Sequence, residues 1–124
     1  MKKIILLLFC MPLLLASTCE DDENQIVCTT DFVNGLNVTV VDSETQVPLV
    51  EGVTVTAVDG DYNEVLPLFP GLEYIFSGAG ERVGSYIITV TKVGYITYTS
   101  QPIVVTRDVC HVIPKQVFVE LVAD

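Results

Sequence analysis

The chain has no tryptophan, one histidine, two methionines and only six lysines and arginines among its 124 residues. A glycosidase is disfavoured, since there is no indole to line its sugar subsite and the length leaves no room for a deep cleft. A single histidine rules out a multi-histidine metal centre. The shortage of basic residues is set against 16 Asp and Glu, giving a formal net charge of -10, which excludes nucleic-acid phosphates and anionic lipid as electrostatic partners. Helical periodicity is missing beyond the first residues, and no apolar run is long enough to span a bilayer. The longest, from Ile4 to Ala16, reaches only about 20 Å as a helix, short of a ~30 Å hydrocarbon core. One domain with one core is what this length allows.

What is present at the start is an address. Lys2 and Lys3 form a basic n-region and Ile4 to Ala16 the apolar stretch of a signal peptide. It ends in Leu15-Ala16-Ser17-Thr18-Cys19, which resembles the lipobox of bacterial lipoproteins. That resemblance implies cleavage after residue 18 and diacylation of the Cys19 sulfur, with Thr18 departing from the usual small residue before the cysteine. Two or more acyl chains anchor stably where one does not. Ordinary secretory cleavage near Ala16 to Thr18 is the alternative and would leave Cys19 a passive thiol. Glu20-Asp21-Asp22-Glu23-Asn24-Gln25 follows, with nothing apolar to pack, so residues 19–27 read as a solvated tether. This acidic run is similar to the surface-export signal of some Gram-negative lipoproteins, and it fits a plain spacer equally well. The implied place is the outer membrane, lipid-anchored, facing either the surface or the periplasm.

Losing the leader removes Cys10, and acylation consumes Cys19. Cys28 and Cys110 are then an even pair in an oxidising compartment, and a disulfide between them is the economical expectation. A two-thiol metal site completed by His111 is the competing possibility, and it lacks the four ligands of structural zinc.

From Leu36 on, short runs rich in Val, Ile, Thr and Tyr alternate with Gly, Pro and Asp, the pattern of an all-β domain over residues 28–124. Leu36, Val38 and Val40 fall on one face of a strand, as do Val53, Val55 and Ala57 of the next. Asp59-Gly60-Asp61 predicts a hairpin into a strand from Tyr62 to Leu66. Tyr74 to Phe76 reads as a short strand and Gly78-Ala79-Gly80 as a loose, flexible loop. Tyr86 to Thr91, Tyr95 to Thr99, Ile103 to Thr106 and Val117 to Leu121 complete the set, the last alternating with Gln116, Phe118 and Glu120. The arithmetic matches an antiparallel β-sandwich of about seven strands, immunoglobulin-like or prealbumin-like.

Two stretches carry a family likeness. Val40-Val41-Asp42-Ser43-Glu44-Thr45 with Pro48-Leu49-Val50-Glu51-Gly52-Val53-Thr54-Val55 resembles the opening of carboxypeptidase regulatory-like domains, transthyretin-like or Cna protein B-type sandwiches. Glu81-Arg82-Val83-Gly84-Ser85-Tyr86, then Lys92-Val93-Gly94-Tyr95, is similar to the later motif of that family, and Cys110-His111-Val112 resembles members that pair this cysteine with one near the domain start. The resemblance implies a fold and leaves the function open, since such sandwiches host unrelated activities. An isopeptide crosslink would need a Lys on the first strand, which is missing. The chain ends Leu121-Val122-Ala123-Asp124 and not in the Tyr-Arg-Gly-Ser of hydroxyisourate hydrolases.

Chemistry-bearing residues are few. Ser77, Ser85 and Ser100 show no triad spacing and no Gly-x-Ser-x-Gly elbow. Gly78, Gly80 and Gly84 lack the Lys and helix of a phosphate cradle. Asp59, Asp61 and Asn63 mimic the first oxygen positions of a calcium loop, but Glu64 stands where Gly is required and Pro70 where Glu is required, leaving only a loose Ca site at Asp59, Asp61 and Glu64. Glu81 and Arg82 are expected to form ion pairs with each other or with neighbouring strands. The expectation is a non-catalytic module without cofactor, attached to membrane through lipid and offering loops or a sheet edge to an envelope protein or glycan. A small Ca- or Zn-dependent hydrolase and a purely mechanical spacer are the alternatives.

Overall fold

The computed structural model describes residues 26–124, so the leader, Cys19 and the acidic run up to Gln25 lie outside the described residues. Among those described, every regular element is a strand: β1 (Asn34–Asp42), β2 (Thr54–Asp59), β3 (Tyr62–Val65), β4 (Ile75–Gly80), β5 (Gly84–Thr91), β6 (Tyr98–Thr99), β7 (Ile103–Val105) and β8 (Lys115–Leu121). They build two sheets. One has the order β4-β1-β8, the other β3-β2-β5-β6 with β7 also on β5. The alternation legible in the sequence is what lets the two layers face each other. Leu36, Val38 and Val40 of β1, Val55 and Ala57 of β2, Tyr86, Ile88 and Val90 of β5, and Val119 and Leu121 of β8 are all buried in one cluster. Removing that apolar surface from water, at about 25 cal/mol per Å², is the main stabilising term.

The all-β sandwich is as expected, with three differences of detail. First, the pairing of β1 with β8 is parallel, Leu36 opposite Lys115 through Asp42 opposite Leu121, whereas the other pairings are antiparallel. First and last strands can lie side by side this way because the whole domain serves as their crossover.

Second, there are eight strands where about seven were expected, and the edge beside β5 is divided between two of them, the first shorter than expected. Thr99 and Tyr98 pair with Thr89 and Val90, while Ile103 and Val104 pair with Tyr86 and Ser85. Between them Pro102 has no N–H to give. Ser100 bridges the break: its N–H donates to Ile88 O and its Oγ accepts from Ile88 N, both at 2.8 Å. Tyr95 and Ile96 leave this edge, Tyr95 bridging to Ala123 and Ile96 N donating to Val122 O at 2.9 Å, so the run expected from Tyr95 to Thr99 shrinks to Tyr98–Thr99.

Third, Gly78-Ala79-Gly80 is not a loose loop. It is the second half of β4, with Gly78 opposite Leu36 and Gly80 opposite Asn34. A Cβ at Gly78 would collide with the Leu66 side chain and the Glu64 carboxylate, and one at Gly80 with the ring of Phe32. These glycines are cases of close packing, where the missing side chain makes room for a neighbour.

Candidate functional site

Polar side chains converge at the corner where the amino-terminal segment meets the loop before β8. Cys28 and Cys110 are disulfide-bonded, with Cα atoms 5.2 Å apart and a sequence separation of 82. The residue after each cysteine meets its counterpart across the bridge, Thr29 Oγ1 lying 3.0 Å from His111 Nε2. The other ring nitrogen, His111 Nδ1, is 2.7 Å from Glu81 Oε2.

Glu81 stands on the tight connection after β4 with φ of 49°, a backbone conformation costly to a residue with a side chain and here set by what that side chain holds. Its carboxylate accepts from Val33 N at 3.0 Å and Val112 N at 3.3 Å, and its own N–H donates to Val33 O at 2.8 Å. Partial burial of Glu81 disfavours its charge, but the Val33 amide, His111 and the Val112 amide together outweigh this and hold the carboxyl below its ordinary range. Asp108 caps the same loop, accepting from His111 N at 2.9 Å and Cys110 N at 2.8 Å, and these two amides hold its carboxyl below the usual value as well.

Next in sequence, Arg82 reaches the other way. Its guanidinium lies 3.8 Å above the centre of the Tyr62 ring, and its Nη1 donates to Asp59 Oδ2 and to the Tyr86 hydroxyl, both at 3.0 Å. The buried Tyr86 hydroxyl in turn donates to Arg82 O at 2.8 Å. Tyr62 donates to Glu64 Oε1 at 2.6 Å, and that bond, with burial and the nearby Glu64 charge, pushes the phenol up to about 12. Glu64 Oε1 also accepts from Ala79 N at 2.9 Å.

The arrangement answers the sequence expectations residue by residue. Glu81 and Arg82 pair with neighbours and not with each other: Glu81 with His111, Arg82 with Asp59. The loose calcium set is not assembled, since Asp59 is engaged by Arg82 and Glu64 by Tyr62 and Ala79, and among the described residues no group of three His, Cys, Asp or Glu is placed to hold a metal ion. Cys19 lies outside the described residues. The line Thr29, His111, Glu81 went unread in the sequence, although a signal existed: once Cys28 and Cys110 are bridged, the residues that follow them are forced together.

Hydroxyl, imidazole and carboxylate in that order also describe an acyl-transfer triad. Here the backbone amides of Val33 and Val112 both donate to the Glu81 carboxylate and anchor it between the two segments. The array works as a clasp: through one carboxylate and one ring it fastens residues 29–33 to the loop before β8. No protein-family model matches this chain, and no curated protein matches it significantly.

Proposed function

We propose that this chain is a lipid-anchored, disulfide-closed β-sandwich that serves without catalysis as a binding or scaffolding module at a bacterial outer membrane or cell surface. The observation that carries the reading is the disposition of the four cysteines. Cys10 sits inside a leader-like apolar run, Cys19 at its end in a lipobox-like setting, and the other two close the domain as a bridge. Each cysteine thus has a use that fits an exported lipoprotein, because bridges persist where the compartment is oxidising. The polar side chains support the non-catalytic part. Glu81, His111, Arg82, Asp59 and Glu64 are occupied in holding backbone and neighbouring side chains together. The tether of residues 19–27 would hold the sandwich clear of the headgroups, leaving its loops and sheet edges as the surface offered to a protein or glycan.

The test is mass spectrometry of the mature amino terminus, combined with labelling of intact cells by a membrane-impermeant amine reagent. A chain beginning at an acylated Cys19 is expected, and Cys19→Ala should release it from the membrane fraction. A mature protein with an unmodified Cys19, or an uncleaved chain in the cytosol, overturns the proposal.

A further inference from the structure

A β-sandwich of two open sheets has four edges, and an edge left with unpaired N–H and C=O groups is a template for another strand. Three of the four are blunted here. The outer side of β4 is covered by the preceding segment, Ser77 N donating to Pro67 O at 2.9 Å and Phe69 N to Ile75 O at 2.7 Å, and by Glu64 on Ala79 N. The edge at β3 is only four residues long, and the β6–β7 edge is broken at Pro102.

The fourth edge, β8, runs seven residues without interruption beside β1 alone. Its outward groups are identifiable. Leu121 O accepts from Ser43 N on the β1 side, whereas Val122 O, one residue on, turns outward to accept from Ile96 N, each at 2.9 Å. Alternate residues of a strand point opposite ways, so Gln116, Phe118 and Glu120 direct their N–H and C=O groups away from β1. None of these backbone groups has a protein partner among the described residues. On the same residues the side chains project from the outer face, and Phe118 is 58% exposed. A groove of about 350 Å³, lined by Ile96, Thr97, Tyr98, Thr99, Glu120 and Val122, opens along the carboxyl-terminal end of this edge.

We infer that this edge is a homodimer interface in which β8 pairs antiparallel with β8 of a second copy about a two-fold axis at Phe118. The sequence of the edge is complementary to itself in that register. Phe118 lies opposite Phe118, and Gln116 lies opposite Glu120 of the second copy at both ends, so an amide donor meets a carboxylate twice. One Glu120 oxygen accepts from Gln46 Nε2, on the turn after β1, at 2.9 Å, and its other oxygen is left for the incoming Gln116. Parallel pairing would instead set Glu120 against Glu120 in a chain of net charge -10. The three outward residues of each copy exchange about six backbone hydrogen bonds in this register. Nothing in the inference depends on the lipid anchor.

The test uses the full chain, purified in detergent. Equilibrium sedimentation is expected to give twice the protomer mass at about 50 µM, a concentration suited to an interface below the usual size. Phe118→Lys, which opposes two like charges on the axis, should weaken association at least about tenfold. Phe118→Cys should yield a disulfide-linked homodimer under mild oxidation, since facing residues at about 5.5 Å between Cα atoms can be bridged. Thr39→Cys, one strand inward on the same face, should not. A protomer mass at that concentration, equal crosslinking through residues 39 and 118, or a Phe118→Cys crosslink to a different polypeptide each overturn the inference. The crosslink decides the matter even if the lysine variant folds poorly.

Discussion

Replacing both bridge cysteines, Cys28→Ser with Cys110→Ser, opens a ring whose ends are 82 residues apart in sequence. In the chain-entropy model a closed loop of that size removes about 4.5 kcal/mol of freedom from the unfolded state. The loss is that large only if residues 28–33 stay docked without the bond, because a segment that frays returns entropy to the folded state as well. Three contacts resist fraying: Thr29 to His111 at 3.0 Å, Val33 N to Glu81 at 3.0 Å and Glu81 N to Val33 O at 2.8 Å. Phe32 adds the cover its ring gives to Gly80. Most of these lie near the surface, so part of the effect is returned, and a loss of about 3 to 4.5 kcal/mol is expected. For a domain of this size that lowers Tm by about 15–25 °C and consumes much of a typical stability. Urea unfolding of the double variant, and of the unaltered chain with and without reductant, measures it. A loss below about 1 kcal/mol would refute the reasoning, because the ring would then not be restraining the unfolded chain.

Gly78→Ala should destabilise by about 1–3 kcal/mol in the same urea assay, since its Cβ has to displace Leu66 and the Glu64 carboxylate. Acid should destabilise the chain through three carboxyls held below their ordinary values: Asp42 by the Tyr95 hydroxyl and the Thr45 and Glu44 amides, Asp108 by the His111 and Cys110 amides, and Glu81 by its amide and His111 partners against burial. A carboxyl whose pKa is lower folded than unfolded stabilises above its unfolded value and loses that contribution as pH falls through the folded one. The urea midpoint is therefore expected to be flat near neutrality and to drop below about pH 4.5, more shallowly in Asp42→Asn; an equally steep drop in that variant counts against the assignment. Absorbance titration should find one tyrosine ionising at about 12, and Glu64→Gln should bring that tyrosine back toward the ordinary range, Tyr62 having lost its charged acceptor.

Much of the fold was legible because burial on one side of a strand imposes a period of two. Leu36, Val38 and Val40, and likewise Val119 and Leu121, announce their inward face without reference to any other residue. Turn chemistry was equally local, with Gly60 at φ 60° at the hairpin tip and Gly94 at φ 90° after β5. The cysteine pair was legible by elimination.

Glycine spacing alone misread Gly78 and Gly80, because whether a glycine loosens a chain or lets a neighbour close in depends on what comes to lie against it, here Leu66 and Phe32. The partners of Glu81 and Arg82 were equally out of reach: the connection after β4 sends one side chain to residues 33, 111 and 112 and the next to residues 59 and 86. The parallel seat of β8 beside β1 belongs to the same class, and with it the outward turn of Gln116, Phe118 and Glu120. Local sequence determined which way each strand faces, since that follows from water and a two-residue repeat. Which strands become neighbours, and so which backbone groups are left facing outward, was decided only by the closing of the two sheets over a shared core.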